Sequence, residues 1–183
     1  YYSDNTAVGY KAMYLTNPTS AFAGYATNGC KNVAVGTQAL YSNVTGIGSV
    51  AIGYQAAYSN TATGTTAIGW KALYTNTSGA RNSAIGYKAL TSNLTGADNT
   101  AMGFEALKAN VLGASNTAVG SYALTANSYA SQNTAVGHNA LVTQSYANGN
   151  AAWATDNTAI GYNALGLTNP TTNSNGYRNT ALG

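Results

Sequence analysis

The sequence predicts an all-β fold, a β-roll or β-solenoid with rungs of about 17 residues, and three observations carry this prediction. A five-residue motif, first seen as Asn5-Thr6-Ala7-Val8-Gly9, occurs ten times and ends each time in glycine. The intervals between successive motif glycines are 27, 17, 16, 17, 17, 17, 17, 24 and 22 residues. The residues before each glycine suit a short strand, and the Asn and Gly residues that follow suit turns. A short fixed period is typical of proteins whose units bury their core against neighbouring units.

The repeats extend along the whole chain when positions are counted from each motif glycine as position zero. Residues 1–183 then form a single array of about nine rungs. Insertions near residues 14–30, 142–156 and 166–178 lengthen three of the units, and we expect them to be loops that leave the coil. Because motifs start at Asn5 and stop at Gly183, we expect the array to continue in a longer fibre, or its ends to meet other copies.

The three positions before each glycine predict a strand. Position −3 is Thr, Ser or Val (the threonine column), position −2 is always Ala (the alanine column), and position −1 is aliphatic or Met (the aliphatic column). β-branched residues on either side of a small one fit a strand whose side chains alternate between two faces. We expect the aliphatic column to form the core of the coil, with Val35, Ile52, Ile68, Ile85, Met102, Val119, Val136 and Ile160. The invariant Ala must then face something that comes very close.

The residues after each glycine predict turns. Position +1 is mostly aromatic (the aromatic column), position +2 is long and polar, and positions +3 and +4 read Ala-Leu in most copies. Six copies place Asn at position +7, and Gly follows closely in five of these. Asn and Gly tolerate positive φ and make local turns. We therefore expect two short strands and two turns in each rung, with extended or turn-like structure rather than a helix after the glycine.

The composition indicates an uncharged but wettable surface. Charged residues make up 6% of the chain, and 7 Lys and Arg against 4 Asp and Glu leave a net charge of +3 that is too small and scattered for nucleic acid. Such a surface is common on extracellular fibres. No apolar run approaches the roughly 18 residues of a membrane helix, so we expect no membrane insertion. The predicted location is extracellular, at a cell or virion surface.

No catalytic constellation is visible in the sequence. The four acids, Asp4, Asp98, Glu105 and Asp156, are far apart, so no carboxylate pair is assured. The single histidine, His138, stands in the aromatic column and is interpreted as a stacking residue. The single cysteine, Cys30, is an ordinary thiol or an interchain link. We expect no enzyme, no cofactor and no metal site within one chain, although three copies of one residue on a three-fold axis could still hold an ion.

Two further patterns allow two interpretations each. The aromatic column and the tyrosine column at position +5 (Tyr14, Tyr41, Tyr58 and Tyr74) could be ladders that stiffen adjacent rungs or a platform for sugars. We favour the ladder. N-glycosylation sequons begin at Asn43, Asn76 and Asn93, but this column already requires Asn for its turn, so the match is either functional or a by-product.

The motif resembles repeats of a known family. Ser49-Val50-Ala51-Ile52-Gly53 is similar to the core motif of YadA-like head repeats in trimeric autotransporter adhesins. The longer segment from Asn99 to Leu107 resembles related repeats of phage tail fibres and bacterial surface fibres. The resemblance implies a β-roll in which three chains lie side by side with the motif strand toward the neighbours. Together with the strict alanine column, it predicts a parallel homotrimer in which six alanines line or adjoin the interface, namely Ala51, Ala67, Ala84, Ala101, Ala118 and Ala135.

Three functions are compatible with the sequence. The first is a structural or adhesive segment of an extracellular fibre, a trimeric stalk or head without catalysis, whose partners are identical chains and a host-surface glycan or protein. The second is a subunit of an extracellular filament that stacks end to end. The third, ranked below these, is an ice- or glycan-binding solenoid. Val33, Val50 and Ser83 interrupt the threonine column, and we expect that column to face inward, which counts against ice binding.

Overall fold

The computed structural model describes residues 4–16, 29–143, 152–166 and 178–183. Within these ranges the protein contains strands and turns and no helix. The strands are β1 (Thr6–Val8), β2 (Val33–Val35), β3 (Val50–Ile52), β4 (Thr66–Ile68), β5 (Ser83–Ile85), β6 (Thr100–Met102), β7 (Thr117–Val119), β8 (Ala130–Ser131), β9 (Thr134–Val136), β10 (Trp153–Ala154), β11 (Thr158–Ile160) and β12 (Thr180–Leu182). Every motif copy supplies one strand.

The motif strands form one parallel sheet of ten strands in the order β1-β2-β3-β4-β5-β6-β7-β9-β11-β12. They pair column on column, so that Ala51 lies opposite Ala67 and Ile52 lies opposite Ile68. Strands β8 and β10 form a separate parallel pair. At the usual strand spacing of about 4.8 Å, ten strands span roughly 43 Å. The predicted all-β solenoid is confirmed.

Most described rungs contain one strand, the three-residue motif strand. A second strand of two residues, β8 or β10, occurs in only two of the described rungs, so the prediction of two strands per rung holds for these two alone. After the glycine the chain passes through turns, with left-handed residues at positions +2, +4 and −5. Lys71 and Leu73, for example, both have a φ of 52°. A left-handed residue costs about 1 kcal/mol or more, and it bends the chain away from an extended path. Hydrogen bonds between rungs hold this path, since the Leu73 amide donates to the Ala89 carbonyl at 3.0 Å and the Lys71 amide to the Tyr54 carbonyl at 3.0 Å.

The predicted directions of all three columns are wrong. The alanine column faces the interior of its own coil, and the threonine and aliphatic columns face outward. In strand β6, Ala101 is 0% exposed and Met102 is 41% exposed. Because successive residues of a strand point to opposite faces, an inward Ala turns both of its neighbours outward. The correction covers the residues predicted as core, namely Val35, Ile52, Ile68, Ile85, Met102, Val119, Val136 and Ile160, which are half-buried or exposed in the single chain.

The interior of the coil is narrow and filled by small residues. The alanine column packs in one cluster with Ala at position +3 and Leu at position +4, as in Ala89 and Leu90. Since the leucine already occupies most of the width, the strand has room for a methyl group and nothing larger. Glycine at position zero has a similar cause. Gly53 has a φ of 130°, and a Cβ there would lie 2.6 Å from the carbonyl oxygen of Gly69 in the next rung.

Two columns of buried polar side chains lie beside this apolar core. The outer-turn asparagines at position +7 are Asn43, Asn60, Asn76, Asn93, Asn110 and Asn127, and all are fully buried. Position −4 is also buried, with Asn82, Asn99 and Asn116 in successive rungs. Ser49 and Thr65 replace Asn in this second column, where the Thr65 hydroxyl donates to Ser49 Oγ at 3.0 Å. The interior therefore has an apolar part, formed by Ala and Leu side chains, and a polar part, formed mainly by Asn side chains.

The three predicted insertions fall largely on residues outside the described ranges. Those ranges omit residues 17–28, 144–151 and 167–177. The sheet continues in register on either side of each gap, since Thr6 pairs with Val33, Thr134 with Thr158 and Thr158 with Thr180.

Candidate interaction surface

The outward face of the ten-stranded sheet is a regular and largely apolar surface. It consists of the threonine column and the aliphatic column, which run side by side along the rod. In the single chain Ile52 is 39% exposed, and Met102 and Ile160 are each 41% exposed. The threonine column beside them is half-buried over most of its length. Contiguous exposed apolar surface marks a site of association in soluble proteins, so this face is the main candidate for an interface.

The alanine column cannot form that interface. Ala51, Ala67, Ala84, Ala101, Ala118 and Ala135 are all 0% exposed within a single chain. A second chain therefore cannot contact their side chains, and the predicted alanine interface is wrong. The strictness of the column reflects the narrow coil of the chain itself. The side chains that a second chain could contact along this sheet are those at positions −3 and −1.

The aromatic column borders the sheet and forms a ladder of stacked rings. The ring centroids of Trp70 and Tyr87 are 5.0 Å apart with planes inclined by 9°, and those of Tyr87 and Phe104 are 5.0 Å apart with planes inclined by 8°. His138 joins the column by stacking on Tyr162 at 5.5 Å. The ladder interpretation, and the stacking role of His138, are confirmed. Because stacked rings cover one another's faces, few ring faces within the stack are open to a sugar.

Lysines at position +2 lie against these rings. The Lys71 ammonium is 4.7 Å from the ring centroid of Trp70, and the Lys88 ammonium is 5.3 Å from the same centroid. Lys11 lies similarly over Tyr10 and Tyr14, and its pKa is raised chiefly by a side-chain hydrogen bond with Tyr10. A cation over an exposed ring contributes about 0.5 to 1 kcal/mol. The lysines therefore anchor the ladder while keeping its outer edge charged.

Three of the four acids, Asp98, Glu105 and Asp156, are engaged in ion pairs. Asp98 accepts two hydrogen bonds from the Arg81 guanidinium, at 2.6 and 2.9 Å, and these lower the pKa of Asp98. Glu105 lies 3.0 Å from the Lys108 ammonium, and Asp156 lies 3.8 Å from Arg178. Among the described residues, no cluster of three His, Cys, Asp or Glu side chains could hold a metal, and no helix is long and apolar enough to cross a membrane.

One open cavity of about 460 Å³ lies near the C-terminal end of the sheet. The described residues that line it are Asn139, Val142, Thr143, Asn163 and Gly166, none of which is ionisable. The described residues therefore supply this cavity with no general acid or base.

The asparagines of the three N-glycosylation sequons are buried in the folded chain. Asn93 Nδ2 donates to Asn76 Oδ1 at 2.6 Å and to the Gly96 carbonyl at 2.9 Å. Asn43 and Asn76 are equally buried and also donate to the glycine of their own turn. A glycan on these nitrogens is incompatible with the closed rung, so in the folded chain the sequons are by-products of the turn. Cys30 is also buried, which favours an ordinary thiol over an interchain link.

Sequence reasoning missed the polar column at position −4. Its members bridge rungs, since the Asn99 amide donates to Asn82 Oδ1 at 2.9 Å and Asn99 Nδ2 donates to the Gly113 carbonyl at 2.9 Å. The signal was available, because Asn begins eight of the ten motif copies. A position that keeps Asn directly before a strand is typical of a side chain that binds neighbouring backbone.

Comparison with known proteins identifies no relative. No family model matches the chain, and neither a curated protein nor a solved structure matches it at a significant level.

Proposed function

We propose that this chain is a structural segment of an extracellular fibre, in which identical chains associate in parallel through the outward face of the sheet and no reaction is catalysed. The observation that carries the proposal is the aliphatic column, which repeats at every rung and remains half-buried or exposed in the single chain. A monomeric protein gains nothing from ten copies of an outward Val, Ile, Leu or Met. An equally repetitive partner, in register, would cover the whole column.

Three chains are proposed because the motif resembles trimeric fibre repeats, and because a closed ring of identical faces suits cyclic symmetry. The interface then consists of the aliphatic and threonine columns, and the alanine column stays inside each coil. The rigid backbone, held by hydrogen bonds at each rung, suits a stalk or spacer. A host-surface glycan or protein as the fibre's further partner stays a prediction.

The oligomeric state tests this proposal. Sedimentation velocity at several concentrations should give a discrete trimer for the chain, whereas a filament that grows end to end should give an open-ended distribution of sizes. A folded monomer at all concentrations would contradict the proposed fibre.

A matched pair of variants locates the interface. Met102 lies in the aliphatic column and is 41% exposed, while Leu94 lies on the outer turn and is 40% exposed. Met102→Gln should weaken the trimer, and Leu94→Gln should leave it intact, because the two changes remove similar exposed apolar surface in different places. Equal weakening by both variants would mean that the sheet face is not the interface.

Ice binding is the second candidate, because the threonine column faces outward. Thr100, Thr117, Thr134 and Thr158 follow one another in paired strands of a parallel sheet. Their spacing of about 4.8 Å between strands is set by the backbone and forms a rigid array of hydroxyl and methyl groups. The objection that this column faces inward no longer holds. A trimer would cover the same face, so thermal hysteresis by a monomeric chain would favour ice binding over the fibre, and its absence would exclude it.

A further inference from the structure

Four tyrosines stack in succession along one side of the rod. They are the tyrosine column, Tyr14, Tyr41, Tyr58 and Tyr74, and each belongs to a different rung. Successive ring centroids are 5.4, 4.8 and 5.2 Å apart. The closest pair is Tyr41 and Tyr58, whose planes are inclined by only 4°. The last three rings are half-buried and Tyr14 is exposed, so small oxidants can reach the column.

The backbone fixes this register. The Ser42 amide donates to the Tyr58 carbonyl at 2.9 Å, and the Ser59 amide donates to the Tyr74 carbonyl at 3.0 Å. Each bond joins the residue after one tyrosine to the next tyrosine of the column. The backbone positions of the tyrosines therefore cannot move apart unless a rung opens, and the stacked phenol rings lie within contact distance of one another.

We propose that the tyrosine column is a site of oxidative cross-linking, in which a peroxidase with hydrogen peroxide joins tyrosines of adjacent rungs as dityrosine. Each of two phenols loses one electron and one proton and becomes a phenoxyl radical. The two radicals combine through ring carbons ortho to the oxygens, and each ring then transfers its ortho hydrogen to restore the phenol. Hydrogen peroxide accepts the two electrons and two protons and leaves as two molecules of water.

The geometry makes the reaction specific to one column. Coupling needs two tyrosyl radicals in contact, and the tyrosine column places such partners side by side. In the aromatic column Tyr54 and Tyr87 each stack on Trp70, which separates them. No two tyrosines of the aromatic column stack on each other in the described part of the chain. Oxidation of the folded protein should therefore yield a cross-link within the chain between Tyr41 and Tyr58, and this link would tie two rungs together.

The test treats the folded, full chain with horseradish peroxidase and hydrogen peroxide at low protein concentration. Dityrosine fluorescence, intact mass and a map of cross-linked peptides are then recorded. We expect a loss of two hydrogen masses per link, a dominant Tyr41–Tyr58 peptide and no covalent dimer. The linked protein should also melt at a higher temperature than the untreated one, because the link restrains the unfolded chain.

Two variants with matched chemistry make the test specific. Tyr58→Phe keeps a stacked ring but removes the phenol, so most of the dityrosine should be lost and only the Tyr14–Tyr41 link should remain. Tyr87→Phe makes the same change in the aromatic column and should retain the full signal. Circular dichroism establishes that both variants are folded. The proposal is overturned if the folded wild type forms no dityrosine, if its links are scattered as in urea-unfolded chain, or if both variants behave alike.

Discussion

Ala101 and Met102 are neighbours in one strand, yet the first is fully buried inside the coil and the second is 41% exposed. The smaller side chain occupies the core because Ala106 and Leu107 of the same rung already fill the space beyond it. The larger one is left on the sheet face, where another chain can cover it. The small residue therefore fills the core of the rung, and the large one lies on the face through which we propose that chains associate.

Ala101→Gln should therefore destabilise the coil itself. The longer amide would have to enter a filled interior, and overpacking costs about 1 to 3 kcal/mol before the burial of an unpaired polar group adds to it. Met102→Gln should change the free energy of unfolding of the dissociated chain by less than about 1 kcal/mol, since its side chain is outside the coil. Urea unfolding of the two variants measures the difference. If Met102→Gln were the more damaging change, the core would have been placed on the wrong side of the sheet.

Gly86→Ala should be strongly destabilising. The residue has a φ of 135°, and a Cβ would overlap the carbonyl oxygen of Gly103. The strain and the collision act together, so a loss of about 3 kcal/mol or more is expected. Gly48→Ala is the control, because Gly48 has a φ of 65° and a Cβ there meets nothing within 4 Å. We expect about 1 kcal/mol for the control, measured by urea unfolding, and similar losses at both sites would contradict the role of close rung contact.

Removal of a buried amide should open the outer turn. Asn93 Nδ2 donates to Asn76 and Gly96, and Asn93 Oδ1 accepts from Asn110 Nδ2 at 2.7 Å. Asn93→Ala leaves several buried groups without partners, each at about 1 to 3 kcal/mol. Thermal unfolding should show a loss well above that of Thr95→Ala, an exposed change in the same turn. Hydrogen exchange of the Leu94 and Val111 amides should also accelerate, and unchanged protection would rule out a structural amide ladder.

The sequons make a prediction for expression in a eukaryotic secretory pathway. Glycosylation at Asn76 or Asn93 precedes folding and blocks the buried position that the amide must occupy. Folded, secreted protein should therefore lack glycans at these sites by mass spectrometry. Thr45→Val, Ser78→Ala and Thr95→Val together remove all three sequons at exposed positions and should raise the yield of folded protein. Glycans on protease-resistant, folded chain would show that these asparagines are accessible.

The Arg81–Asp98 pair predicts a small dependence of stability on pH. The guanidinium lowers the pKa of Asp98 in the folded chain, chiefly through its hydrogen bonds. A carboxyl with a lowered folded pKa stabilises the fold above its unfolded pKa, and this stabilisation is lost as the pH falls through the folded pKa. Between about pH 5 and about pH 2, the melting temperature of the wild type should fall more than that of Asp98→Asn. Parallel profiles would mean that the exposed pair contributes nothing measurable, and added salt should shrink any difference.

The sequence predicts the repeat and the strand well, because both follow from local pattern. Thr100, Ala101 and Met102 have the composition of an alternating strand, and pairing column on column follows from the fixed interval. The prediction of which strand face points into the coil was wrong, because the larger apolar residues were assigned to the interior. The pair Ala106-Leu107 contained the missing information, since a rung of this length has room for one apolar layer and that pair already supplies most of it.

The turns could not be predicted residue by residue. Lys71, Gln55 and Glu105 adopt positive φ, although none of these side chains favours it. Hydrogen bonds to the rungs on either side impose this conformation, so it is a property of the stack and not of the local sequence. The candidate interface could not be predicted from local sequence either. Which columns point inward depends on the side chains that the remainder of the rung places in the interior.

The hydroxyl pair of Ser49 and Thr65 has a consequence for folding fidelity. Rungs that are nearly alike can pair one unit out of place at little cost in energy, so a folding chain needs marks that tell one rung from another. Thr65 Oγ1 donates to Ser49 Oγ at 3.0 Å, and a displacement by one rung would separate these two hydroxyls. The same stretch also holds the one interval of 16 residues. We therefore expect this irregular rung to favour the correct register over a pairing displaced by one unit, for the uniform rungs on either side of it.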